Sequence, residues 1–215
     1  MNKEIIINKL QKLPRILVGS LAWDHKDKGI NLRDSCVSMI EEVIKTSNPK
    51  EILEIGTHLG HSSCLFLSIS QANVTSVDIG HNWVEWEHGY DDWHTPRQGG
   101  GLKDVVSTLS NEFPNRFRFI IGGSTSPETI NKFSDRKYDL IFIDGDHSYD
   151  FVKKDIKTAI DLKIPYILLD DFTDHDSPCR VAAQELDLIF LKEYKNIHND
   201  GNISCGFFKN PFLNV

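Results

Sequence analysis

The chain has 215 residues, 40% hydrophobic and 26% charged, an ordinary globular composition and enough for one domain with its own core at about 100–200 residues per domain. Its 24 Lys and Arg against 31 Asp and Glu leave a net charge of −7, so general attraction to phosphate backbones is absent and nucleic acid is not an expected partner. Four scattered cysteines (Cys36, Cys64, Cys179, Cys205) without a Cys-x-x-Cys pair exclude a disulfide framework or zinc knuckle and point to the cytoplasm, while apolar runs such as Ile5–Ile7 are too short for a signal sequence or a membrane span.

In chain order, Ile5 to Leu13 predicts a short amphipathic helix stopped by Pro14. Asp34 to Thr46 predicts a second, with Cys36, Val37, Ile40, Val43 and Ile44 at helical spacing, Asp34 as N-cap and Asn48-Pro49 as its end. Glu51 to Ile55 then reads as a strand running into Gly56, Ser62 to Ser70 as a helix, and Val74 to Asp78 as a second strand. Leu102 to Phe113 predicts a helix, and Phe117 to Ile121 a third strand ending in Gly122-Gly123. Tyr138 to Ile143 is a fourth strand, followed by a helix over about Tyr149 to Leu162. Tyr166 to Leu169 is a fifth strand and Ser177 to Leu191 a further helix. Tyr194 to His198 and Ile203 to Lys209 read as a closing antiparallel pair around Asp200-Gly201-Asn202.

Strands alternating with helices predict an α/β fold: a Rossmann-like, doubly wound mixed sheet of about seven strands with a terminal antiparallel hairpin. Residues 1–33 read as an N-terminal arm and 34–215 as the domain. An insertion at about 81–101 exceeds what a strand-helix-strand crossover needs. It carries His81, Trp83, Trp86, His88, Tyr90, Trp93 and His94 before Gly99–Gly101. Loops of this kind are functional or mobile. The insertion and the arm are also the candidate contacts of a homo-oligomer.

Two constellations carry chemistry. Glu54-Ile-Gly56-Thr-His58-Leu-Gly60 is a strand that breaks into a Gly-x-x-x-Gly turn before a helix opening with His61-Ser62-Ser63. Gly56 permits a sharp turn and Gly60 a close approach of ligand or helix. The second strand ends in Asp78, near the offset at which dinucleotide folds place a ribose-binding acid. The turn is neither Gly-x-Gly-x-x-Gly nor a P-loop, so a pyrophosphate cradle is not indicated. The other constellation is Asp144-Gly-Asp146-His147 after the fourth strand and Asp170-Asp171 after the fifth. On neighbouring strands these carboxylates converge, and a hard divalent cation would resolve their repulsion. The plainer reading is that they cap the helices that follow, although Asp150 and Asp174 are better placed for that.

The glycine turn with Asp78 resembles motifs I and II of class I S-adenosylmethionine (AdoMet) dependent methyltransferases. That resemblance implies AdoMet as cofactor and Glu54, Gly56, His58, Ser62 and Asp78 as its contacts, with Gly123 and Ser124 near the adenine. The string Tyr138-Asp-Leu-Ile-Phe-Ile-Asp144-Gly-Asp-His147-Ser-Tyr149 followed by Leu168-Leu-Asp170-Asp171 is similar to the metal-dependent O-methyltransferases. It is most similar to the branch of macrocin-type sugar O-methyltransferases and cephalosporin-hydroxylase-like proteins, with the catechol type more distant. The resemblance implies Asp144, Asp170 and Asp171 as ligands of a divalent cation, Mg²⁺ foremost, and His147 as general base. The chain departs from relatives in its Asp-Asp second pair, in Lys163-Ile-Pro165 where a Gly-Gly turn is usual, and in the His/Trp-rich insertion. The activity implied is O-methylation of a small molecule carrying vicinal hydroxyls, a sugar or natural product. A nicotinamide-dependent oxidoreductase and a non-catalytic protein that holds AdoMet or metal are the competing expectations.

Overall fold

Five short apolar runs decide the architecture, because strands this rich in Ile, Leu, Val and Phe must be buried on both faces. The computed structural model describes residues 3–13, 34–81, 101–195 and 204–213, with the backbone of four short strands, Ile16–Leu17, Trp23–Lys26, Gly29–Leu32 and His94–Thr95. The main sheet has seven strands: β1 (Glu51–Ile55), β2 (Asn73–Asp78), β3 (Phe117–Ile121), β4 (Leu140–Ile143), β5 (Tyr166–Leu169), β6 (Ile189–Tyr194) and β7 (Cys205–Lys209), in the order β6-β7-β5-β4-β1-β2-β3. β1 pairs in parallel with β2 and β4, and β4 with β5, while β7 runs antiparallel to β5 and β6. This is the mixed, doubly wound sheet with a terminal hairpin that the sequence predicts.

Side-chain alternation sends neighbouring residues to opposite faces. Ile52, Val74, Leu140, Phe142 and Leu168 share one core with the helices α1 (Lys3–Leu10), α2 (Asp34–Ser47), α3 (His61–Ile69) and α4 (Leu102–Glu112). Leu53, Val77, Ile141, Ile143 and Ile167 face the other core, beneath α5 (Pro127–Phe133), α6 (Tyr149–Asp161) and α7 (Pro178–Glu185). Each fully buried Leu, Ile or Phe contributes about 1.5–3 kcal/mol of transfer free energy, so two packed faces fix the strand register firmly. Ile6 and Leu10 of α1 are buried in the first core, so the start of the chain packs on the domain. Ile16–Leu17 pairs with His94–Thr95, joining the backbone of the N-terminal segment to that of the insertion.

Two expectations need correction. The helix predicted over Ser177 to Leu191 ends at Glu185. Asp187 turns with φ +53, and Ile189-Phe190-Leu191 opens β6. The first hairpin strand is therefore Ile189–Tyr194, not Tyr194 to His198. The proposed turn at Asp200-Gly201-Asn202 lies outside the described residues. A helix the sequence reading passed over, α5, occupies the β3–β4 connection, with Ser126 as N-cap accepting from the Thr129 N–H and Pro127 at its first turn. No helix among the described residues is long and apolar enough to cross a membrane.

Strand order reverses between β1 and β4. At such a switch point the connections leave in opposite directions and open a crevice beyond the carboxyl ends of the strands.

Candidate active site

That crevice is a cleft of about 620 Å³. Its β1–β2 side is built from the glycine turn. Gly56 has φ +92, and a Cβ there would meet the Asp144 carbonyl oxygen at 2.0 Å. Glycine is therefore required where the ends of β1 and β4 touch. Gly60 has φ +74 and caps α3, and a Cβ would meet the Val105 side chain at 2.5 Å, so here the close approach is by α4. Asp78 ties the turn together. Its Oδ2 accepts from the N–H groups of Thr57 (3.0 Å) and His58 (3.1 Å), and its Oδ1 accepts from Gly80 N–H (2.9 Å). Each carboxylate oxygen has two lone pairs, which leaves acceptor capacity towards the cleft.

Glu54 and Ser62 lie behind this surface and do not line it. Glu54 is fully buried, its Oε2 taking the hydroxyls of Ser63 and Ser76, and Ser76 in turn bonds Thr57 Oγ1 at 2.6 Å. Glu54 Oε1 has no hydrogen-bond partner among the described residues. Burial pushes the Glu54 carboxyl up to about 6, against the pull of the Ser62, Ser63 and Ser76 hydroxyls. Gly56, His58, Asp78, Gly123 and Ser124 do line the cleft. The Cβ direction of Gly123 opens into empty space.

The β4–β5 side is acidic. Ligand atoms of Asp144, His147 and Asp170 lie within 4.8 Å of one another. Asp170 is 3% exposed, and its Oδ1 accepts from the thiol of Cys205 at 3.0 Å. Asp144 and His147 face the cleft, their side chains 27% and 32% exposed. His147 Nε2 stands 3.4 Å from Asp144 Oδ1, and its Nδ1 contacts Asp171 Oδ2. Nε2 is nevertheless buried without a hydrogen-bond partner among the described residues. Asp171 has φ +49, a left-handed turn that directs it to the imidazole while Asp170 stays with Asp144. Of the three carboxylates expected to form one ligand set, two converge with His147 and the third holds that histidine. Asp146 accepts from the Ser148 N–H at 2.8 Å, at the entry to α6.

The electrostatics show a corner short of positive charge. Desolvation and the neighbouring Asp170 carboxylate raise Asp144 well above the usual carboxylate range. Burial lowers His147, but hydrogen bonding and attraction from Asp144 and Asp171 outweigh it and push the imidazole up to about 10. The imidazole thus carries the positive charge of this corner. An oxygen-rich donor set with an unpartnered buried nitrogen fits a divalent cation.

Sequence reasoning missed Ile79 and Phe151, which line the cleft at 67% and 41% exposure. Phe151 was findable: Val152, Ile156 and Ala159 form the buried stripe of α6, and an aromatic beside that stripe has no core to enter. Asp155 was also missed; it is 2% exposed, and burial lifts its carboxyl to about 6 against the pull of Ser124. His81 and Leu102, at the two ends of the insertion, both line the cleft. Trp83, Trp86, His88, Tyr90 and Trp93 lie outside the described residues.

The family model described as a methyltransferase domain matches residues 53–172, more than half of the chain. No curated protein matches in sequence. Among solved structures, the chain is similar to an O-methyltransferase from Bacillus cereus in complex with S-adenosylhomocysteine, at 13% identity and TM-score 0.57, covering 83% of this chain and 82% of that one. It is also similar to TomG, the O-methyltransferase of tomaymycin synthesis from Streptomyces achromogenes, in complex with AdoMet, at 15% identity and TM-score 0.56, covering 84% and 81%. The nicotinamide-dependent oxidoreductase expectation falls with the family match. The glycine turn, Asp78 and the β4 carboxyl end all lie inside the matched span, and the chain belongs to the methyltransferase domain family, with the fold of class I AdoMet-dependent O-methyltransferases.

Proposed function

We propose that the chain transfers the methyl group of AdoMet to a hydroxyl of a small molecule with vicinal oxygens, a sugar or a natural product, with a divalent cation at the acidic corner and His147 as general base. The observation that carries this reading is the meeting, in one cleft, of the Asp78 glycine turn with the Asp144–His147–Asp170 cluster. Bound AdoMet supplies an electrophilic methyl, and a bound cation supplies the charge that acidifies and orients the acceptor oxygens.

The protein's own part follows from its side chains. Gly56, His58 and Asp78 receive the methionine and ribose portions, and Gly123 and Ser124 the adenine; Glu54 and Ser62 brace the turn from behind. Asp144 and Asp170 hold the cation. Asp171 accepts the Nδ1 proton of His147 and thereby fixes the tautomer whose Nε2 lone pair faces the cluster. Neutralising Asp144 removes a main cause of the raised imidazole pKa, so His147 gives up its proton and can take one from the acceptor hydroxyl. His81 and Leu102, which flank the insertion, line the cleft, and the Trp and Tyr residues of the insertion are of the kind that stacks on a sugar or an aromatic ring. The net charge of −7 supports a small acceptor over nucleic acid.

Calorimetric titration with AdoMet and S-adenosylhomocysteine, in Mg²⁺ and then in EDTA, tests this reading. Both ligands are expected to bind at micromolar concentration. Mg²⁺ binding near pH 7 is expected to release protons, read as a heat that changes with buffer ionisation enthalpy. Methyl transfer to a panel of vicinal diols should stop in EDTA. Absence of AdoMet binding would overturn the cofactor assignment, and transfer that persists in EDTA would overturn the cation. AdoMet binding with no diol turned over would favour a binding protein of the same fold.

A further inference from the structure

The Asp170–Asp171 corner is shaped from outside the parallel sheet. β7 runs beside β5 with Gly206 opposite Leu169, which sets Cys205 against the residues that follow β5. Cys205 Sγ lies 3.0 Å from Asp170 Oδ1, with Cys205 0% and Asp170 3% exposed. A carboxylate only accepts, so the thiol is the donor. Ser204, one residue earlier, grips the far side of the corner: its carbonyl accepts from Phe172 N–H at 2.8 Å and its hydroxyl donates to Phe172 O. Two successive residues at the start of β7 thus bracket the pair of aspartates. Inside the bracket the left-handed Asp171 parts the two side chains, Asp170 going to Asp144 and Asp171 to His147.

We infer that Cys205 is a positioning residue of the cation site, holding the Asp170 carboxylate in its ligating orientation through one donated S–H···O bond. The inference rests on the cation reading above. A carboxylate free to rotate must be ordered when the ion arrives; one whose Oδ1 is already held by a donor is ordered beforehand.

The test is Mn²⁺ titration of the full chain, read from the electron paramagnetic resonance signal of free Mn²⁺, for wild type, Cys205→Ala and Cys205→Ser. Thermal melting of the metal-free proteins reports packing separately. Cys205→Ala is expected to weaken Mn²⁺ about tenfold, the lower end for loss of a group that orients a ligand. Cys205→Ser keeps a donor and is expected to stay close to wild type in Mn²⁺ affinity even if its melting temperature falls. Equal Mn²⁺ affinity of wild type and Cys205→Ala, or equal loss in both variants, would overturn the inference while the cation reading stands. A wild-type protein that binds no Mn²⁺ would overturn both.

Discussion

At the β2 end of the cleft one carboxylate, Asp78, takes three backbone N–H groups. At the β4–β5 end three carboxylates, Asp144, Asp170 and Asp171, stand around a single imidazole. In the first region the carboxylate is matched without a ligand: Asp78 takes three N–H donors, and glycine sterics fix the backbone. The second is not matched in this way, since desolvated like charges raise Asp144 and His147 Nε2 is buried without a hydrogen-bond partner among the described residues. A satisfied carboxylate is structure with spare lone pairs; an unsatisfied cluster is a site that awaits charge.

This difference can be broken most directly by the same substitution at both ends. Asp170→Asn removes one of the repelling carboxylates. Methyl transfer should fall by about 10²–10⁴-fold, because the cation and the acceptor proton transfer both depend on it. The metal-free protein should become more stable by about 1 kcal/mol, as like-charge repulsion is relieved. Asp78→Asn should do the reverse for stability, with a loss of about 1–3 kcal/mol, because an amide offers one accepting oxygen where the backbone presents three donors. Urea unfolding of both variants in EDTA reads the two signs. Destabilisation of both would mean that the acidic corner is as well satisfied as the glycine turn.

The two regions meet where β1 and β4 end, at Gly56 and Asp144. A Cβ on Gly56 would lie 2.0 Å from the Asp144 carbonyl oxygen, on a backbone at φ +92. Gly56→Ala must therefore displace the end of β4, at a cost on the order of 3 kcal/mol. It should weaken S-adenosylhomocysteine and Mn²⁺ together, although a glycine contributes no ligand to either. Titrating both into the variant separates the possibilities: loss of the nucleoside ligand alone would mean that the two ends are held independently.

Much of this was legible in the sequence, for identifiable reasons. β1, β3 and β5 were readable to the residue because their apolar runs serve two cores at once. α5 was not, since only Thr129 and Phe133 of it are buried and no periodic stripe forms; its signal was the cap, Ser126-Pro127-Glu128. Ile189-Phe190-Leu191 misled in the opposite sense, since an apolar run invites burial and these residues sit exposed on the edge strand. Within the site, the convergence of Asp144 and Asp170 follows from neighbouring strands. The divergence of Asp171 does not, because it depends on one left-handed residue, and Cys205 reaches Asp170 only through the antiparallel return of β7. Local pattern carries strand ends; it does not carry which way a side chain leaves a turn.

The smallest expected effect concerns an unsatisfied atom behind the glycine turn. Glu54 is fully buried and leaves Oε1 unpartnered, and burial raises its pKa from 4.5 to about 6. A carboxyl with a raised pKa in the folded state binds its proton more tightly there than when unfolded. Its contribution to stability is therefore fully present below pH 4.5 and is lost as pH rises through about 6, a fall of about 2 kcal/mol. Asp155 is raised from 3.8 to about 6 by its own burial and falls in an overlapping window, so wild-type unfolding alone does not isolate Glu54. The difference between wild type and Glu54→Gln does, because Asp155 is common to both. Urea unfolding from pH 4 to 7.5 should show that difference changing by about 2 kcal/mol, with the glutamine variant gaining on wild type as pH rises. A flat difference would mean that Glu54 folds as an anion held by Ser62, Ser63 and Ser76. The glycine turn would then carry a buried charge behind the half-buried Asp78, and the contrast with the acidic corner would be one of degree.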